Sequence, residues 1–136
     1  PVPTNLTAQS WVRKIISHSG YLFAFRRYVN GANEYTQILK SADGGLTWSG
    51  FAWLVNAFVD CISTTDGILA VTENNQTWMV TGENSVTRKD YTLPNASMKN
   101  GHLVALGTDL FMLGCGDQYN TAFKLVDSSG PVGSPL

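Results

Sequence analysis

The stretch Ser41-Ala42-Asp43-Gly44-Gly45-Leu46-Thr47-Trp48 constrains the fold of this chain more than any other. Gly44-Gly45 supplies backbone that accepts positive φ in a tight turn. Asp43 is short enough to accept hydrogen bonds from amides inside that turn, and Ser41 and Thr47 reach across it. Trp48 is a large apolar body that anchors a turn against a sheet. Upstream, Tyr35 to Leu39 has the residue types of a strand. The whole reads as a hairpin with unusually strong turn chemistry.

Strand signals dominate the rest of the chain. β-Branched and aromatic residues cluster in short runs separated by Gly, Asn, Asp and Ser, and no segment holds a 3.6-residue period with helix caps. The runs repeat. Ile16-Ser17-His18-Ser19-Gly20-Tyr21-Leu22-Phe23-Ala24-Phe25 is matched by Ile62-Ser63-Thr64-Thr65-Asp66-Gly67-Ile68-Leu69-Ala70-Val71. A weaker copy runs from Leu103 to Leu113. The offsets are about 40 to 47 residues, the length of one four-stranded propeller blade. The turn chemistry repeats more faintly. Thr81-Gly82-Glu83-Asn84-Ser85-Val86-Thr87-Arg88 keeps three positions of the strong turn, and Asp127-Ser128-Ser129-Gly130 keeps only a turn.

The Ser41–Trp48 stretch fits Ser/Thr-x-Asp-x-Gly-x-Thr-Trp, with Ser41, Asp43, Gly45, Thr47 and Trp48 at the defined positions. It resembles the Asp-box, or BNR repeat, of sialidase-type β-propellers. The resemblance covers these eight residues and implies an architecture more than a reaction, because the Asp-box is a folding device in most proteins that carry it. The expectation is one all-β domain over residues 1–136. It would hold three propeller-blade-like antiparallel units, near 11–49, 51–93 and 96–126, followed by a tail over 128–136. Closed propellers take about 4 to 8 blades. Three units leave open strand edges, which invite pairing. Completion by a homo-oligomer, or by packing into a larger assembly, is therefore expected.

The same resemblance can be followed residue by residue. Sialidases of this type hold a substrate carboxylate with three arginines and carry Phe-Arg-Ile-Pro ahead of the first box. Here Phe25-Arg26-Arg27-Tyr28 keeps Phe-Arg and lacks Ile-Pro. The arginines are Arg13, Arg26, Arg27 and Arg88, and the adjacent pair would point to opposite faces of a strand. No arginine triad is legible, so a sialidase-like glycosidase fragment is the least favoured reading.

Composition narrows the function further. The formal net charge is −1 and charged residues are 14% of the chain, with no Lys/Arg run, which argues against a nucleic-acid partner. No apolar run approaches the ~20 residues of a helical membrane span. Cys61 and Cys115 are expected as two buried thiols, with a disulfide as the alternative. His18 and His102 read as quasi-equivalent turn residues. No nucleophile elbow, zinc spacing, calcium loop or phosphate loop occurs, so neither catalysis nor a cofactor or metal is expected.

Binding remains. Aromatic faces beside Asn, Asp and Gln suit sugar recognition, and they equally suit packing. The expected contact set is Arg26, Arg27, Tyr28 and Asn30 on a long hairpin, then Trp53 in the apolar stretch Phe51–Val55. The low charge, polar strands and polar tail suit a non-enzymatic assembly module, such as a phage head-decoration or tail protein. Its partners would be itself or other virion proteins. The alternative is an oligomeric propeller lectin that binds glycan. Either reading places the protein on a virion or outside a cell.

Overall fold

The computed structural model describes residues 9–73, 76–81, 85–89, 91–92, 101–115 and 118–127. All of its regular structure is strand. The chain divides into two compact units, Pro1–Phe58 and Val59–Leu136.

The first unit is a four-stranded antiparallel meander in the order β1-β2-β3-β4. Its strands are β1 (Gln9–His18), β2 (Tyr21–Asn30), β3 (Asn33–Ser41) and β4 (Ser49–Val55). Ser19 and Gly20, with φ of 52° and 82°, make the first turn. At the second, Asn30 pairs with Asn33, so Gly31-Ala32 is the two-residue loop. Gly31 has φ 63°, which puts glycine where a hairpin of this length needs positive φ. Asn56 closes the far end of β4. Its N–H donates to Glu34 O at 3.1 Å, and its carbonyl accepts from Thr36 Oγ1 at 3.0 Å.

Both faces of β2 are filled in its middle, because Phe23, Ala24 and Phe25 are all fully buried. One face carries the aromatic packing. Phe23 meets Phe51 edge-on at 5.5 Å, and Phe25 stacks on Phe58 at 5.0 Å. The Lys40 ammonium lies 4.0 Å from the Tyr21 ring centroid on that side.

The two edge strands differ. β1 carries Arg13 and Lys14 and a bulge between Val12 and Lys14, which are common guards against edge-to-edge pairing. β4 reads Ser-Gly-Phe-Ala-Trp-Leu-Val and has no charged residue. It is bulged at its start, where Ile38 pairs with Ala52 and Leu39 with Gly50, and it is regular from Ala52 to Val55. Trp53 and Val55 are more than half exposed.

The strand β5 (Phe58–Thr64) starts at the last residue of the first unit and otherwise belongs to the second, where it forms a second meander with β6 (Gly67–Thr72), β7 (Gln76–Thr81) and β8 (Ser85–Lys89) in the order β5-β6-β7-β8. A third sheet has the order β10-β11-β12, from β10 (His102–Leu106), β11 (Asp109–Cys115) and β12 (Gln118–Lys124). Tyr91–Thr92 (β9) and Val126–Asp127 (β13) pair antiparallel as a two-stranded ladder. β6 is buried along its whole length. That is why its sequence is a continuous apolar run instead of an alternation. Leu69, Val71 and Met79 pack with Leu103, Leu110, Met112 and Leu125, so the second and third sheets share one core.

Three antiparallel sheets and no helix among the described residues agree with an all-β fold. The segments that repeat in the sequence become β2, β6 and β11, the second strand of each sheet. Sheet boundaries differ from the expected units. Tyr91–Thr92, expected within 51–93, pairs with Val126–Asp127 and not with the second sheet. Phe51–Val55 completes the first sheet as β4, where the sequence placed it at the head of the second unit. The reason is the strong turn at Ser41–Trp48, which sends the chain back along β3. Among the described residues the third sheet has three strands, where a full blade has four. The fainter turn copies at 82–84 and 128–130, and the tail, lie outside the described residues.

Candidate functional site

The turn between β3 and β4 is built from its own side chains. Ser41 Oγ donates to Asp43 Oδ1 at 2.8 Å and accepts from Gly45 N–H at 2.9 Å. Asp43 Oδ1 also accepts from Thr47 N–H at 2.9 Å, while Oδ2 accepts from Thr47 Oγ1 at 2.5 Å. Trp48 Nε1–H donates to Gly45 O at 3.0 Å. Gly44 and Gly45 have φ of 70° and 94°. A Cβ on Gly45 would make ordinary contact with Leu22 and Trp48 at 3.5 and 3.7 Å, so it is the positive φ that calls for glycine there. The bonds from the Thr47 hydroxyl, the Thr47 amide and Ser41 hold the Asp43 carboxyl at about 2, below its ordinary 3.8. All of Asp43's bonds are spent inside the turn. Ser41, Asp43, Gly45, Thr47 and Trp48 therefore hold one another, and Asp43 is occupied as an acceptor.

The expected contact residues separate by strand parity. Cross-strand partners share a face of a sheet, and neighbours along a strand do not. Tyr28 pairs with Tyr35, and Tyr35 with Val55. In the next row Arg26 pairs with Gln37, and Gln37 with Trp53. The three rings meet. Tyr28 and Trp53 are edge-on at 5.5 Å, Tyr35 and Trp53 edge-on at 6.4 Å, and Tyr28 and Tyr35 tilted at 6.5 Å. The result is an aromatic ledge on one face of the first sheet. Trp53 is its outer member at 53% exposure, with Val55 beside it at 57%.

Arg26 lies in this row and is 2% exposed. Its Nη2 donates to Gln37 Oε1, and its Nε and Nη1 have no acceptor. Burial pulls the guanidinium pKa down, against a smaller raising effect from Tyr28. Arg27 is on the other face. It pairs with Glu34 at 2.6 Å and sits over the Trp11 ring at 5.6 Å. Asn30 is exposed at the hairpin end, one pair beyond Val29 and Glu34.

The structure thus gathers Arg26, Tyr28 and Trp53 on one face, sends Arg27 to the other, and leaves Asn30 at the rim. The sequence singles out neither Gln37 nor, beyond its place at the start of a strand, Tyr35. The signal for both was the strand pairing. A two-residue loop at Gly31-Ala32 fixes Tyr28 opposite Tyr35 and Arg26 opposite Gln37.

Elsewhere, His18 ends β1 opposite Tyr21, whereas His102 opens β10 opposite Leu113. The two histidines are therefore at opposite ends of corresponding strands and are not equivalent turn residues. Cys61 is buried. The Cys115 side chain lies outside the described residues. Among the described residues, no group of three or more His, Cys, Asp or Glu side chains is placed to hold a metal ion. Among the described residues, no helix is long and apolar enough to cross a membrane. No family model, curated protein or solved structure matches this chain.

Proposed function

We propose that this protein is a non-enzymatic binding module that works by assembly, a small virion-type component such as a phage head-decoration or tail protein. One observation carries the reading. The aromatic ledge of Tyr28, Tyr35 and Trp53 continues into an edge strand that has no charge and, among the described residues, pairs on one side only, with β3. Exposed apolar surface joined to an open, uncharged strand edge is what an assembling protein covers with a neighbour. The Asp-box-like turn supports the same reading, since it spends its polar groups on holding β4 in place. A solution mass tests the proposal. It predicts more than one chain per particle and a return to single chains in Trp53→Asp. A single-chain mass that the substitution leaves unchanged would count against it.

The ledge also favours a second reading, an oligomeric propeller-type lectin. Half-exposed Trp53 flanked by two tyrosines offers a flat apolar face of the kind that stacks on sugar C–H groups. A glycan screen that finds a ligand lost in Trp53→Ala, with the solution mass unchanged, would favour this reading over assembly.

A further inference from the structure

Arg26 is sealed from water at 2% exposure, yet two of its three nitrogens have no acceptor. No carboxylate pairs with it among the described residues; its one bond goes to the neutral amide of Gln37. A buried guanidinium with open donors and no counter-charge is costly. An outside carboxylate that reaches the open donors offsets part of that cost. The residues around it fit an interface centre, because Trp, Tyr and Arg are the types that concentrate in binding hot spots.

The chain itself carries a suitable acid. Among the acids whose side chains are described, Glu34 is engaged by Arg27, Asp43 by its turn, Asp60 by two backbone amides, and Asp109 by Lys124. Glu73 also has a partner. Asp66, in the turn between β5 and β6, is exposed, and only its backbone N–H is bonded, to Thr64 Oγ1 at 3.2 Å. Its carboxylate has no partner among the described residues.

We propose that Arg26 of one copy takes the Asp66 carboxylate of a second copy, with Trp53 turning aside to admit it. The proposal rests on the assembly reading and deepens it by naming the partner. Trp53 is the movable part of the row. It lies on an edge strand, it is half exposed, and ring contacts are what hold it among the described residues.

The test is a double-mutant cycle read by light scattering over a concentration series, with a melting curve for every variant. Arg26→Met and Asp66→Asn should each weaken association by about tenfold or more. The double variant should be no weaker than either single one. Arg26→Met should melt no lower than the parent chain at a concentration where both are single chains, because it removes an uncompensated charge. Unchanged association in Arg26→Met overturns the proposal and leaves the assembly reading standing. So does a lowered melting temperature with association intact, which would make Arg26 a purely structural residue. Effects of the two substitutions that multiply would overturn the pairing with Asp66. A parent chain that stays single at every concentration overturns the assembly reading and this proposal together.

Discussion

Asp60 Oδ2 accepts the Leu103 N–H at 2.8 Å, across 43 residues of chain. Its other oxygen accepts the Cys61 N–H at 2.8 Å. One buried carboxylate on β5 thereby satisfies a backbone donor of β10, so the second and third sheets are joined by a directed bond as well as by their shared apolar core. Asp60→Ala leaves both amides without acceptors in a buried place. It should cost about 1–3 kcal/mol of stability, read from urea unfolding, whereas Asp60→Asn should cost less because it keeps one carbonyl oxygen.

Asp43 makes stability depend on pH in acid. Its folded pKa of about 2 lies below the ordinary 3.8, so the folded chain binds fewer protons than the unfolded chain between those values. The contribution is fully present above about pH 4 and is lost as pH falls toward 2. Melting temperatures of the parent chain and Asp43→Asn should converge across that window. A gap that stays constant down to pH 2 would show that the Asp43 charge is not what holds the turn.

Gly67 sits at the start of β6 with φ 149°, and a Cβ there would lie 2.6 Å from Val80 O. That neighbour is backbone in a paired strand, so it cannot give way as a flexible side chain would. Gly67→Ala should destabilise by about 1–3 kcal/mol. Gly31→Ala, where nothing lies within 4 Å, should cost less. Thermal unfolding of the two variants side by side makes the comparison.

Arg27 and Glu34 form an ion pair at 2.6 Å in the first sheet, but both are partly exposed. Arg27→Gln should change stability by less than about 1 kcal/mol. Any larger loss would point to the stacking of Arg27 on Trp11, which Arg27→Lys would separate from the charge.

The strands were legible because their apolar residues recur at the same place in each sheet. The Tyr21–Phe25, Gly67–Val71 and Asp109–Leu113 segments all become second strands, and nearest-neighbour hairpins need no more than local turns to register. The hydrogen bonds at Ser41, Asp43 and Thr47 were legible for the same reason, since every partner lies within a few residues. The site was only partly legible. Alternation separated Arg26 from Arg27, but Gln37 and Tyr35 join the ledge through pairing of β2 with β3, which composition does not show. The placement of Phe51–Val55 follows from the local turn at Ser41–Trp48, which returns the chain along β3. The Asp60–Leu103 bond depends on where distant strands end up, and no local pattern encodes it. Arg26 is the sharpest case, because an arginine on a strand reads as surface charge until its burial is seen.

The central claim is assembly through the Trp53 face. Light scattering on a sizing column, run over a concentration series for the parent chain and Trp53→Asp, tests it most directly. The account predicts a mass of two or more chains for the parent and a single-chain mass for the variant, with both melting as folded proteins. A single-chain mass for the parent at every concentration, identical to that of Trp53→Asp, would contradict it.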